Sequence, residues 1–258
     1  MNNFVQTAKE AALIGGGILK ENFKKVKKSD VENKGIKDFV TYVDKLSEER
    51  IRSYILSKYP DHSFLGEEDG KFGNSDYVWV VDPLDGTKNY ICGFEIFAVS
   101  VALIHKGDII AGSIYVPILD KLYWAGKSEG AYLNGEKIKV SDRPIESAVV
   151  STGFPFREIK ELDSYLSMLR EAMITFSGVR RPGAAAVDLA LVAEGVFDGF
   201  FEMKLSIWDI AAGILLIKEA GGICTNFDGG EDFSSGDIIA GGEKIYKFLF
   251  DIVNKKRG

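Results

Sequence analysis

The stretch Trp79-Val-Val-Asp-Pro-Leu-Asp-Gly-Thr-Lys-Asn89 decides how this chain is read. The apolar run over 77–81 reads as a buried strand, and it ends directly in an acid. On a straight strand, Asp82 and Asp85 would face opposite ways, because side chains alternate. A turn at Pro83 removes that alternation and lets both carboxylates, with the Leu84 carbonyl between them, converge on shared cations. Gly86 allows close approach of backbone to a ligand, and Thr87 supplies a hydroxyl and an N–H at a helix start, a ready site for phosphate. Pro, Asp and Gly also build ordinary surface turns, so the neighbouring acids matter. Glu67-Glu68-Asp69 ends the preceding strand, and Asp209 opens an apolar helix directly after Trp208. An acid as N-cap is the ordinary explanation of Asp209 taken alone. Four acids at the ends of elements point to one shared cavity.

Composition narrows the chemistry. The 258 residues include 38 Asp and Glu, 32 Lys and Arg, two His (His62, His105) and two Cys (Cys92, Cys224). These scattered side chains show no C-x-x-C or H-E-x-x-H spacing, which argues against zinc. Carboxylates must hold any metal, and hard oxygen donors suit Mg²⁺, Mn²⁺ or Ca²⁺. Two distant Cys provide no disulfide framework, so a reducing, cytoplasmic setting is expected. The apolar stretch over 11–19 is too short to span a membrane and is broken by three glycines, and no membrane association is expected. A net charge of −6 argues against nucleic acid as the main ligand. Taken without cations, it also argues against a phosphorylated substrate.

Apolar spacing predicts helices over 3–25 and 41–59, the second stopped by Pro60, with a mobile, Lys-rich loop over 20–37 between them. Strands are expected over 62–66 and 77–81, then an antiparallel meander over 97–140 with a hairpin turn at Asn134-Gly135. Helices over 158–176, 183–194, 207–220 and 243–255 and a strand over 199–203 follow. A composition break near 141–146 divides the chain into an N-terminal α+β half, 1–146, carrying the metal-binding acids, and a C-terminal α/β half, 147–258, carrying Asp209 and substrate contacts, in one cooperative unit.

Asp38-Phe-Val-Thr-Tyr-Val-Asp44, Gly66-Glu-Glu68, Asp82-Pro-Leu-Asp-Gly-Thr87 and Trp208-Asp-Ile-Ala-Ala-Gly213, in this order, closely resemble the inositol monophosphatase family of Mg²⁺-dependent, lithium-sensitive sugar phosphatases. The resemblance covers nearly the whole chain, including Gly153-Phe-Pro-Phe156 and Arg180-Arg-Pro-Gly-Ala-Ala-Ala186. It implies a layered αβαβα sandwich, a homodimer, and hydrolysis of a phosphorylated polyol or sugar. It further implies that Glu67, Asp82 and the Leu84 carbonyl hold one Mg²⁺, that Asp82, Asp85 and Asp209 hold a second, and that a third, weaker ion leans on Glu67; Mn²⁺ would substitute. Thr87, bonded to Asp44, would orient the metal-activated water that attacks phosphorus directly. The Gly86 and Thr87 N–H groups would hold phosphate oxygens, Lys34 would approach from the Lys-rich loop, and Ala185 and Glu202 would contact the polyol with Arg180 nearby. Asp85 and Asp209 would face the substrate as well. Inositol monophosphate ranks first as substrate and fructose 1,6-bisphosphate second.

Other signals carry less. Gly126-Lys-Ser-Glu-Gly130 matches the hydrolase G-x-S-x-G pattern but lies in a strand and hairpin context rather than a strand–helix elbow. Gly15-Gly16-Gly17 lacks the preceding strand of a dinucleotide fingerprint and reads as close helix packing. A haloacid-dehalogenase-type phosphatase resembles D-x-D-G-T, one residue shorter than the string here. A binding or regulatory role on the same scaffold is the reading from a different class, with Trp79, Trp208, Phe200 and Phe201 taken as core.

Overall fold

The computed structural model describes residues 3–27, 31–35, 38–156 and 159–256, apart from the side chains of 33–35, 38, 39 and 256. In chain order its elements are α1 (Asn3–Asn22), β1 (Val31–Gly35), β2 (Asp38–Thr41), α2 (Tyr42–Lys58), β3 (Ser63–Gly66), β4 (Gly70–Phe72), β5 (Tyr77–Asp85), α3 (Thr87–Cys92), β6 (Ala98–His105), β7 (Asp108–Val116), β8 (Lys121–Gly126), β9 (Gly130–Leu133), β10 (Glu136–Lys137), β11 (Val149–Thr152), α4 (Leu162–Thr175), β12 (Gly178–Arg180), α5 (Ala185–Ala193), β13 (Gly199–Glu202), α6 (Ile207–Glu219), β14 (Ile223–Thr225), β15 (Ile238–Gly241) and α7 (Glu243–Lys256).

Burial patterns explain the stacking of these elements. Helix α1 buries Val5, Ala8, Ala11, Ala12 and Leu19, a stripe at helical spacing that packs on α2 and on an eight-stranded sheet of order β10-β9-β8-β7-β6-β5-β3-β4. The other face of that sheet meets α5 and α6. Both helices are buried on nearly all sides, as Ala185–Ala193 and Ile207–Glu219, rich in Ala, Leu and Ile, would suggest. Beyond them lies a five-stranded sheet of order β12-β11-β13-β15-β14, closed on its far face by α4 and α7. The layers are therefore αβαβα, with one core on both faces of the α5–α6 layer and one under each outer pair of helices.

The glycines of α1 serve packing. An added Cβ at Gly15 would stand 2.7 Å from Ile51, and one at Gly16 would stand 2.2 Å from the Tyr115 ring, whereas Gly17 faces open space. Ser128, in the G-x-S-x-G match, has a φ of 65° in the turn between β8 and β9, and no helix follows it.

Three expectations need correction. Residues 31–35 of the Lys-rich segment form β1, paired antiparallel with β2 through Val31↔Thr41 and Glu32↔Val40; with Val31 as its one apolar residue, the strand has no alternation to read. Strands β14 and β15, the short runs Ile-Cys-Thr and Ile-Ile-Ala-Gly, were not expected. At Pro83 the chain does not turn. Strand β5 continues to Asp85 through a bulge, with Asp82 opposite Ser100 and Asp85 opposite Ala98 on β6. Three steps on one strand match two on the other, and the extra residue brings Asp82 and Asp85 to the same face.

Candidate active site

The bulge in β5 puts Asp82, 1% exposed, and Asp85, 9% exposed, into the wall of one cavity of about 320 Å³. Glu67 enters it from the turn after β3, and Asp209 from the first turn of α6. The three aspartates are anchored by backbone. Leu84 N donates to Asp82 Oδ1 at 2.9 Å. Ala186 N donates to Asp85 Oδ2 at 2.7 Å, so Asp85 caps α5 from a neighbouring element where that helix's own N-cap, Ala184, offers no side-chain bond. Asp209 is the third residue of α6 rather than its N-cap; Ser206 holds that position and donates its N–H to Asp209 Oδ2 at 2.6 Å.

Beside the acids, Gly86 has a φ of 90°, and a Cβ there would approach Ile96 O to 3.1 Å. This left-handed residue starts α3, whose first residue is Thr87. The Thr87 hydroxyl lies 3.3 Å from Asp44 Oδ1 and 3.1 Å from Leu84 O. Asp44 is fixed in turn by Thr41, whose N–H and hydroxyl donate to Asp44 Oδ2 at 3.0 and 2.6 Å. Thr41 is the N-cap of α2 and Asp44 its third residue, a capping box reused to aim a carboxylate.

The electrostatics are those of crowded carboxylates. Asp82 is held well above the usual carboxylate range by burial, then by Glu67, Asp85 and Asp209. Asp85 is pushed up to about 7 by burial and by Asp209. Burial raises Asp44 to about 6. Glu202 rises to about 8 through burial and Asp209, against the pull of Arg181. Among the described residues, no three His, Cys, Asp or Glu side chains already stand in ligating geometry around one point. The donor set nonetheless suits a hard cation: Glu67, Asp82, Asp85, Asp209 and the Leu84 carbonyl share one cavity, and the carboxylates raise one another's pKa as an added positive charge would reverse. Neither His takes part, because His62 and His105 stack on opposite sides of Tyr77.

Ala185 and Glu202 line the same cavity. Glu202 lies against Gly153, where a Cβ would fall 1.8–2.3 Å from its carboxylate. Arg180 requires correction. It is exposed at the end of the edge strand β12 and lines a different groove. Its neighbour Arg181 borders that groove as well but also lines the acid-bearing cavity, packed over Phe154 and Phe156 at 5.2 and 5.3 Å. The Lys34 side chain lies outside the described residues. Trp208, taken as core, is half-buried and lines the cavity, while its carbonyl accepts from Ser100 Oγ. The sequence reading missed Lys88, Asp188 and Lys204 as cavity residues. Lys204 has a left-handed φ of 60° in the loop between β13 and α6, and nothing in its local sequence signals the cavity. Asp188 is a lone acid in an Ala-rich helix, 1% exposed, and burial raises it well above the usual range.

The profile described as "Inositol monophosphatase family" matches residues 1–256. A protein of Aquifex aeolicus named fructose-1,6-bisphosphatase/inositol-1-monophosphatase is 51% identical, over 99% of this chain and 97% of its own. One of Pseudomonas aeruginosa named Nus factor SuhB is 41% identical, over 98% and 96%. Among solved structures, the extragenic suppressor protein suhB of Bartonella henselae superposes with a TM-score of 0.93 at 41% identity, covering 97% of this chain and 98% of that one.

Proposed function

The chain belongs to the inositol monophosphatase family, hence to the phosphoric monoester hydrolases, and we propose that it is an Mg²⁺-dependent phosphatase of inositol monophosphate working by direct attack of water on phosphorus. The observation that carries this reading is the β5 bulge, which aligns Asp82 and Asp85 on one face beside Glu67, Asp209 and the Asp44–Thr87 pair. Glu67, Asp82 and the Leu84 carbonyl would hold one ion and Asp82, Asp85 and Asp209 a second, with a third on Glu67 at higher concentration. Bound there, Mg²⁺ would offset the carboxylate charge, lower the pKa of water and stabilise charge on phosphoryl oxygens.

The chain's own groups do the rest. Asp44 accepts the Thr87 hydroxyl proton, which leaves the Thr87 oxygen to accept a hydrogen bond from the attacking water and aim it. The Gly86 and Thr87 N–H groups face the phosphate oxygens. Ala185 closes the polyol side without bulk, and Glu202 accepts hydrogen bonds from polyol hydroxyls. Fructose 1,6-bisphosphate is the second substrate. Lys88, Arg181 and Lys204 in the cavity wall offer positive charge to a further phosphate, and the Aquifex relative is named for both activities. A homodimer and a cytoplasmic setting belong to the same reading; among the described residues no helix is long and apolar enough to cross a membrane.

Phosphate release from inositol 1-phosphate, fructose 1,6-bisphosphate and a nucleoside monophosphate, with Mg²⁺ alone and with Li⁺ added, tests the proposal. Mg²⁺-dependent, Li⁺-inhibited release is expected, fastest from inositol 1-phosphate. Release that persists in EDTA, or that favours the nucleotide, would contradict it.

A further inference from the structure

Helix α2 supports the walls of the acid-bearing cavity with residues one turn apart. Asp44 bonds Thr87, and Ser47 Oγ donates to the Pro83 carbonyl, inside the β5 bulge, at 3.2 Å. The next residue, Glu48, is 0% exposed and reaches the turn that carries Glu67. Its two oxygens are used separately: Glu68 N donates to Oε2 at 2.9 Å, and Asp69 N donates to Oε1 at 2.8 Å. The carboxylate lies flat against the backbone of Gly66, where a Cβ would stand only 2.3–2.5 Å from its atoms. One turn further along α2, Arg52 Nη1 donates to Asp69 Oδ2 at 2.5 Å, and its guanidinium covers the Phe72 ring on β4 at 4.7 Å.

A carboxylate is an expensive group to bury unless hydrogen bonds meet it, and for stability alone an apolar side chain would serve as well or better. What it supplies here is a pair of charge-assisted bonds to consecutive N–H groups. These pin residues 68 and 69 from below, next to Glu67, whose residue lines the cavity. The glycine in Gly66-Glu-Glu68 is then explained by the carboxylate it accommodates.

We propose that Glu48, reinforced by Arg52, is a positioning residue that fixes the 67–69 turn so that Glu67 meets the cation. The proposal rests on the reading of Glu67 as a metal ligand. In Glu48→Gln the side chain keeps its shape, but its NH₂ confronts one of the two backbone N–H groups, so that side of the turn is released.

The test is Mn²⁺ binding to the substrate-free protein, followed by electron paramagnetic resonance, together with the Mg²⁺ dependence of phosphate release. Glu48→Gln is expected to weaken Mn²⁺ binding about tenfold, the loss typical when a partner behind a metal ligand is removed. The Mg²⁺ concentration for half-maximal rate should rise in parallel, by a larger factor than kcat at saturating Mg²⁺ falls. A purely structural role would lower the melting temperature and leave Mn²⁺ affinity in place, and that result overturns the proposal. If Glu48→Gln fails to fold, Arg52→Gln decides: weaker Mn²⁺ binding supports the proposal, and unchanged binding overturns it. Wild-type protein that binds no Mn²⁺ would overturn the underlying ligand assignment and this inference with it, an outcome distinct from a binding wild type with an unaffected variant.

Discussion

The single hydroxyl hydrogen of Thr87 has two acceptors, Asp44 Oδ1 at 3.3 Å and Leu84 O at 3.1 Å. Under the proposed ligand assignment a cation on the Leu84 carbonyl would leave Asp44 as the acceptor, and the Thr87 oxygen would then point its lone pairs at water. Thr87→Ala is therefore expected to lower kcat by about a hundredfold, the scale of a lost proton-handling group, with Mg²⁺ affinity little changed; steady-state rates at saturating Mg²⁺ check this. The acids beside it set a pH dependence. In the unfolded chain they titrate near 4, whereas Asp85 rises to about 7 and Asp82 well above its usual range in the folded, metal-free protein. Between those values the native state holds more protons than the unfolded one, so stability falls as pH rises. Cation binding removes that penalty. The rise in melting temperature caused by Mg²⁺ over EDTA should accordingly grow between about pH 6 and pH 8, and a rise independent of pH would count against the cluster as the binding site.

At the scale of elements, α1 offers a paired test. Gly16→Ala pushes a methyl group into the Tyr115 ring and should cost about 1–3 kcal/mol. Gly17→Ala, in open space, should be neutral or stabilise by up to about 1 kcal/mol. Urea melts of the two variants measure the difference, and equal losses would refute the packing explanation of the triple glycine. The helices were legible because long stripes such as that of α1 repeat at 3.6 residues. The hairpin of β1 and β2 was not, because alternation in Val31–Gly35 is broken by charge and its partner strand is only four residues long. The D-P-L-D string revealed that two acids converge, but a turn and a bulge bring about the same convergence. Only pairing with Ser100 and Ala98 on β6 distinguishes them.

For the molecule as a whole, the surplus of acids divides in two. Among the described residues most acids are exposed or half-buried, and a few are concentrated where the end of β5, the β3–β4 turn and the first turn of α6 meet. The acids borne on local strings could be read directly from the sequence. Arg181, Asp188 and Glu48 could not, because each owes its place to packing between elements far apart in the chain. Arg181 is the instructive case: it follows the last residue of the edge strand β12, and the direction the chain takes on leaving that strand, which is not written in the Arg-Arg pair, puts it in the cavity wall. The central claim is that the bulge-borne carboxylates hold divalent cations for hydrolysis. Crystals grown with Mn²⁺ and measured at its absorption edge test this most directly. Anomalous peaks are predicted between Glu67, Asp82 and the Leu84 carbonyl and between Asp82, Asp85 and Asp209, whereas a map of catalytically active protein with no peak in that cavity would contradict the claim.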